Sequence, residues 1–191
     1  MNKIKIFIFV GLGFLIISCN KKSKEETIAV PEHVKEMLQK YAVETKGVLG
    51  KNLTNAINAQ GTEKAIQFCS TKAIVLTDSM GTAFNATIKR VSDKPRNPNN
   101  RANENEAIIN ELKQKISNGE KLSPKFTDSD GQTKGYFPIE TNLMCLQCHG
   151  SKALDIKPNV LKKIAQLYPN DQATGYKENQ LRGIFVVTKN N

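Results

Sequence analysis

The chain has 191 residues, 39% of them hydrophobic, which is enough for one domain with a real core, and a formal net charge of +10. Its basic residues are mostly scattered lysines without aromatic interleaving. That pattern excludes a nucleic-acid interface and leaves a solvated basic surface, or steering toward an acidic redox partner or an anionic membrane.

Residues 1–18 have the form of a targeting segment. Lys3 and Lys5 make a basic start, and Ile6 to Ile17 is an apolar run too short to span a bilayer comfortably. The run ends in Leu15-Ile16-Ile17-Ser18-Cys19, which resembles a bacterial lipobox; the alternative is an ordinary signal peptide with an incidental cysteine. Cleavage before Cys19 and lipidation of its sulfur would anchor the protein, at roughly 0.8 kcal/mol per buried methylene. Residues 19–30 then read as a lipidated flexible tether, because Asn20 to Thr27 is polar, charged and free of aromatics. The expected location is the bacterial cell envelope, facing the periplasm, with Asn20 after Cys19 favouring the outer membrane over the inner.

Residues 31–191 read as one folded domain. Val34, Met37, Leu38, Tyr41, Val48, Leu53 and Ile57 recur at helical spacing over 31–58, with Pro31 suited to the first turn and Gly47 and Gly50 weakening the middle. A second helix is expected from Thr62, as N-cap, to about Ser79. Phe84 to Ser92 predicts a strand, and Lys94 to Asn105, rich in Pro, Asn and Arg, a long irregular loop. Ala107, Ile108, Leu112 and Ile116 mark a third helix stopped by Gly119. Lys125 to Thr127 and Lys134 to Ile139 flank Asp130-Gly131, a hairpin signal. Pro158 to Leu167 predicts a short helix, and Gly183 to Lys189 a β-branched terminal strand. The fold class expected is α/β of the α+β kind, with a mostly antiparallel sheet, flanking helices and a long N-terminal helix.

Between the hairpin and that last helix lies Cys145-Leu146-Gln147-Cys148-His149. Two thiols at this spacing can each add to a vinyl group of one porphyrin, and the adjoining histidine is then held against the iron. This is the attachment signature of one covalent haem c. A CxxC can also be a redox pair or half of a zinc site. A zinc site needs four ligands, and beyond the pentapeptide only Cys69, His33 and the lipid-bearing Cys19 are on offer. A thioredoxin-like pair would open a helix directly after a strand near the domain start. All-helical carriers place the pentapeptide early with a ligating Met after it, yet no Met follows Met144; four-helix bundles have no place for the last strand.

For the far side of the iron the candidates are His33, Met37, Met80, Met144 and Cys69. Met144 adjoins the attachment site and cannot reach across the ring, His33 stands in a first helical turn beside Glu32, and Met37 and Met80 lie on core stripes. Cys69 has no disulfide partner left, so it is either a buried structural cysteine or a thiolate on iron, and the thiolate is the better reading. Arg90 and Arg96 are candidates to pair with haem propionates; equally, Arg96-Asn97-Pro98 can lock a loop through backbone carbonyls. Tyr176 after Gly175 reads as a packing residue at a strand start.

Several separated stretches carry a resemblance: Ile66-Gln67-Phe68-Cys69, Arg90-Val91-Ser92 with Arg96-Asn97-Pro98 and Asn100, the pentapeptide with Gly150, Tyr168-Pro169-Asn170-Asp171 with Ala173-Thr174-Gly175-Tyr176, and Leu181-Arg182-Gly183. In this order, over roughly residues 32–188, they resemble a group of exported haem-binding proteins with a PAS-like fold and a single c-type haem. The resemblance implies His149 and Cys69 as the two axial ligands. Asn179 departs from the pattern, which turns on a glycine there, and so puts the local loop shape in question.

The expectation is a lipid-anchored haem protein acting as a redox-responsive sensor or binding module with an unknown redox or signalling partner, and not an enzyme. The rival is a simple low-potential electron carrier.

Overall fold

The computed structural model describes residues 29–129 and 131–190. The targeting segment, Cys19 and nearly all of the tether lie outside these, as does Asp130 of the hairpin turn. The elements are α1 (Glu32–Thr71), α2 (Ala73–Ala83), β1 (Ala86–Val91), α3 (Glu106–Ser117), β2 (Lys125–Ser129), β3 (Gln132–Glu140), α4 (Leu143–His149), α5 (Pro158–Leu167) and β4 (Leu181–Lys189). The four strands form one antiparallel sheet in the order β1-β4-β3-β2, and the fold is α+β as expected.

Helix α1 starts one residue later than Pro31 suggested. Pro31 keeps an extended ψ of 144°, and its carbonyl accepts from Val34 N at 3.0 Å and Lys35 N at 3.1 Å. Gly47 and Gly50, expected to weaken the middle of the helix, lie within it with helical backbone. The break falls at Gly61, between the helices expected over 31–58 and from Thr62, where φ 79° and ψ 167° suit only glycine. Thr62 is no cap; its hydroxyl donates to Gln147 Oε1 at 2.8 Å. The expected second helix is also divided, since Lys72 at φ −112° separates α1 from α2. The loop after β1 is less irregular than its composition suggests. Ser92 and Arg101 make a parallel bridge, and Pro98–Asn100 and Asn103–Asn105 are short 3-10 turns.

The sheet is covered on both faces. Leu38, Ala42 and Leu49 of α1 pack with Ile88, Phe137, Phe185 and Val187 on one face. Ile109 and Leu112 of α3 pack with Val91, Tyr136, Ile184 and Val186 on the other. This explains the continuous apolar run of β4: an inner strand buried on both sides has no polar face to alternate with. Beyond Gly61 the second half of α1 leaves the sheet, and Ile66 packs on Ile156, Val160 and Ile164 around α5. The change of direction at Gly61 thereby opens the space between α1, the sheet and α4 that holds the site.

Candidate functional site

Asn142 caps α4, its Oδ1 accepting from Cys145 N at 3.2 Å. Within this single helical stretch Cys145 and Cys148 stand at i and i+3 and His149 at i+4, so all three project to one side. They line a cavity of about 290 Å³ together with Cys69 from α1, Arg90 from β1, Arg96 from the following loop, and Tyr168 and Arg182. Leu53, Ile57, Ile66, Ile74, Val91 and Ile139 supply an apolar wall. Gly183 closes the sheet side, where a Cβ would come within 2.4 Å of the Val91 carbonyl oxygen.

Residues eighty or more positions apart therefore meet here. His149 Nδ1 donates to the carbonyl of Ala173 at 2.8 Å, a bond only a protonated Nδ1 can make. In the neutral ring Nε2 is then left with its lone pair, the tautomer a metal-ligating histidine needs. Burial first, then the positive charges of Arg182 and Arg96, push the His149 pKa well down, so the ring is neutral at physiological pH. Burial also raises the Cys69 thiol, against the pull of Arg90 and Arg96. The Cys148 thiol is pushed up to about 11, chiefly by burial.

The two candidate arginines differ. The Arg90 side chain has no ion pair or hydrogen bond among the described residues, and burial lowers its pKa despite the nearby Cys69 and Tyr168. A half-buried cation without a protein counter-ion suits an anionic group in the cavity. Arg96 is 9% exposed and already engaged. Its Nε and Nη2 each reach a carboxylate oxygen of Asp171 at 3.1 Å, and Nη2 also donates to the carbonyls of Cys148 at 2.6 Å and Ala173 at 3.3 Å. This geometry is that of a loop lock.

Of the other iron-ligand candidates, only Met144 borders the cavity. His33 is exposed in the first turn of α1, Met37 and Met80 pack on the sheet core, and Met144 is 40% exposed at the cavity rim. Among the described residues no three His, Cys, Asp or Glu side chains converge as a metal-ion cluster. The donor set suits a porphyrin: two thiols on one face, a neutral imidazole, a third sulfur from another element, a cation for a carboxylate, and apolar walls. Cys145, Cys148, His149, Cys69 and Arg90 are the residues that could hold it.

Two features escaped the reading of local pattern. Asp171 is the carboxylate that fixes Arg96, and Arg182 donates through Nη1 to Ser92 Oγ at 2.9 Å and Lys94 O at 3.3 Å. Tyr176 lies in the loop before β4, not at a strand start. Its ring meets His149 edge-on at 6.3 Å, with Lys94 Nζ 4.7 Å and Arg182 Cζ 5.5 Å from its centre. Asn179 adopts φ 59°, which asparagine tolerates better than most residues, so the turn survives the loss of glycine.

The Tll0287-like family pattern matches residues 20–189. The chain belongs to this family. A solved structure described as the cyanobacterial heme-protein Tll0287 is similar in fold, with a TM-score of 0.58 and 19% identity. The alignment covers 84% of this chain and 96% of that one. No curated protein matches.

Proposed function

We propose that this protein binds one covalent haem c through Cys145 and Cys148, with His149 and Cys69 as axial ligands, and works as a redox-responsive sensor or binding module rather than an enzyme. The observation that carries the reading is the His149 ring: its Nδ1 is tied to Ala173 at 2.8 Å, leaving Nε2 for iron on a wall shared with both attachment thiols. Membership of a family that includes a protein described as a heme-protein supports the same cofactor. The PAS-like reading of the fold draws on the antiparallel sheet in which β1 lies beside β4, with α1 and α2 over one face.

When bound, haem supplies a one-electron iron couple. The chain's own part is to orient His149, to present Cys69, and to offset carboxylate charge with Arg90. A thiolate ligand stabilises ferric iron and lowers the potential. Two protein ligands leave no open position for substrate, which argues against an enzyme. The lipid on Cys19 would hold the module at the cell envelope, facing the periplasm. No helix among the described residues is long and apolar enough to cross a membrane.

Protein matured in an exporting host should keep its haem through denaturation and acid-acetone extraction. Free haem in the organic layer would end the covalent reading. A second reading, electron carrier, is favoured by one observation: Leu143 and Met144 beside the attachment thiols are 70% and 40% exposed, an apolar rim suited to brief contact with a redox partner.

A further inference from the structure

The carbonyl of Ala173 accepts two donors. One is Nδ1 of His149 at 2.8 Å, the other Nη2 of Arg96 at 3.3 Å. The same Arg96 nitrogen donates to the carbonyl of Cys148, the residue before the histidine, at 2.6 Å. Asp171 holds both ends of this arrangement. It takes Arg96 bidentately at 3.1 Å, and its Oδ1 accepts from Ala173 N at 2.9 Å. Gly175 N to Gly150 O at 2.8 Å and Tyr176 N to His149 O at 2.9 Å fasten the two segments alongside. Ala173 is fully buried, and Arg96 and Asp171 are 9% and 7% exposed, so water does not screen the set.

We infer that Arg96 and Asp171 form a positioning pair that sets the electron richness of His149, and through it the reduction potential of the haem iron. This rests on the haem reading above. A carbonyl that accepts strongly from Nδ1–H gives the imidazole partial imidazolate character, making Nε2 a stronger donor that favours ferric iron. Arg96 opposes this twice: it draws on the same carbonyl, and it places a positive charge beside the ring. Asp171 counters both effects by neutralising Arg96 and by holding Ala173 in place. The pair is a balance, so removing its two members moves the potential in opposite directions. A loop staple predicts otherwise: cutting either end loosens the same two segments in the same way.

The test uses full-length protein matured with haem in an exporting host, with midpoint potentials from spectroelectrochemical titration. Asp171→Asn keeps the shape and the acceptor for Ala173 N but leaves Arg96 uncompensated, so the midpoint rises. Arg96→Gln removes the cation and its claim on Ala173, so the midpoint falls. Arg96→Lys keeps the charge and returns most of the way to wild type. A shift of about 59 mV in either direction would change the ferrous-to-ferric ratio at the wild-type midpoint tenfold, well within reach of the titration. Shifts of one sign, or none, in haem-loaded Asp171→Asn and Arg96→Gln overturn the inference and leave a staple. Should Arg96→Gln fail to fold, Asp171→Asn and Arg96→Lys decide: a rise in the first with a near-native second upholds it, and an unmoved or lowered Asp171→Asn overturns it. Wild-type protein without covalent haem would instead bring down the haem reading itself.

Discussion

Arg90 lies close enough to Cys69 to draw its thiol pKa down, yet burial pushes the thiol up by more, and burial wins. The thiol is therefore protonated at neutral pH when no iron holds it, and binding iron as thiolate must release that proton. In the haem protein, acid should compete for the sulfur, and the low-spin thiolate signature of the ferric form should fade as pH falls. Arg90→Gln removes a charge that favours thiolate, so the fading should begin at higher pH. Absorption and electron paramagnetic resonance titrations of the two proteins check this. A pH-independent spectrum in both would take Cys69 off the iron.

Haem-free protein offers a second pH test through Cys148. Its thiol is at about 11 in the fold against an ordinary 9.0, because burial disfavours the anion. A pKa raised by folding contributes stability that is whole below pH 9 and lost as pH rises toward 11, since the unfolded chain ionises first. Each tenfold change in ionisation is worth about 1.4 kcal/mol, so the loss is at most about 3 kcal/mol. Denaturant unfolding of haem-free protein across this range should show it, and Cys148→Ala should flatten it. In mature protein the thioether cannot ionise, so the decline should vanish there too.

The pair Arg96–Asp171 also carries stability. Removing one member strands the other in a buried site, and such losses cost about 3–5 kcal/mol. Arg96→Ala should thus lower the unfolding midpoint sharply. Replacing both by apolar residues of similar size should cost much less than the single change, because no charge is then left unpaired. Equal losses in Arg96→Ala and the double variant would mean that the carbonyl contacts, not the ion pair, provide the stability.

How far the sequence reveals this fold depends on the range of the interaction. Periodicity locates α3, α5, the hairpin strands and β4 closely, because each face is determined by neighbours three or two residues away. In α1 the break between 58 and 62 is legible from where the first apolar pattern stops, but the direction the chain then takes is not. Gly47, Gly50 and Gly61 are alike as letters, and only Gly61 stands where the chain must leave the sheet for α5. Residues 94–105 read as an irregular loop in composition, yet they are pinned by Ser92, by Asp171 through Arg96, and by Gln172 N donating to Pro95 O at 3.1 Å. Asp171 and Gln172 come from beyond the pentapeptide, so no local window contains them. The thiols and histidine were legible from spacing. That Cys69 and Arg90 share their cavity depends on the turn at Gly61 and on β1 pairing with β4, which spacing does not encode.

The lipobox reading makes a prediction independent of the cavity. Cys19 ends an apolar run behind two lysines, and the polar stretch that follows would act as a tether. Wild-type protein should partition with membranes, and Cys19→Ser should go unacylated. Wild-type protein found wholly in the soluble periplasmic fraction would defeat the anchor, while leaving the haem site untouched.

Sensor and carrier part company at Cys69 after reduction. Ferrous iron carries less positive charge, so it holds a thiolate less well, and the burial that raises the Cys69 pKa favours taking the sulfur back as a neutral thiol. Carbon monoxide should therefore displace Cys69 from ferrous protein readily, whereas added ligands should barely displace it from ferric protein. Cys69→Ala should open a position or recruit water, with a ferric spectrum unlike wild type, and Cys69→Met should raise the potential because a neutral thioether replaces an anion. Released, Cys69 sits on the part of α1 just beyond Gly61, next to Ile66 in its contact with α5, so its departure has a mechanical route into the fold. Absorption spectra of wild type and both variants, before and after reduction under carbon monoxide, check each step. Ferrous wild type that stays six-coordinate and inert to carbon monoxide at neutral pH would make the electron carrier the better reading. An unchanged ferric spectrum in Cys69→Ala would return Cys69 to a packing role and end the ligand-switch argument.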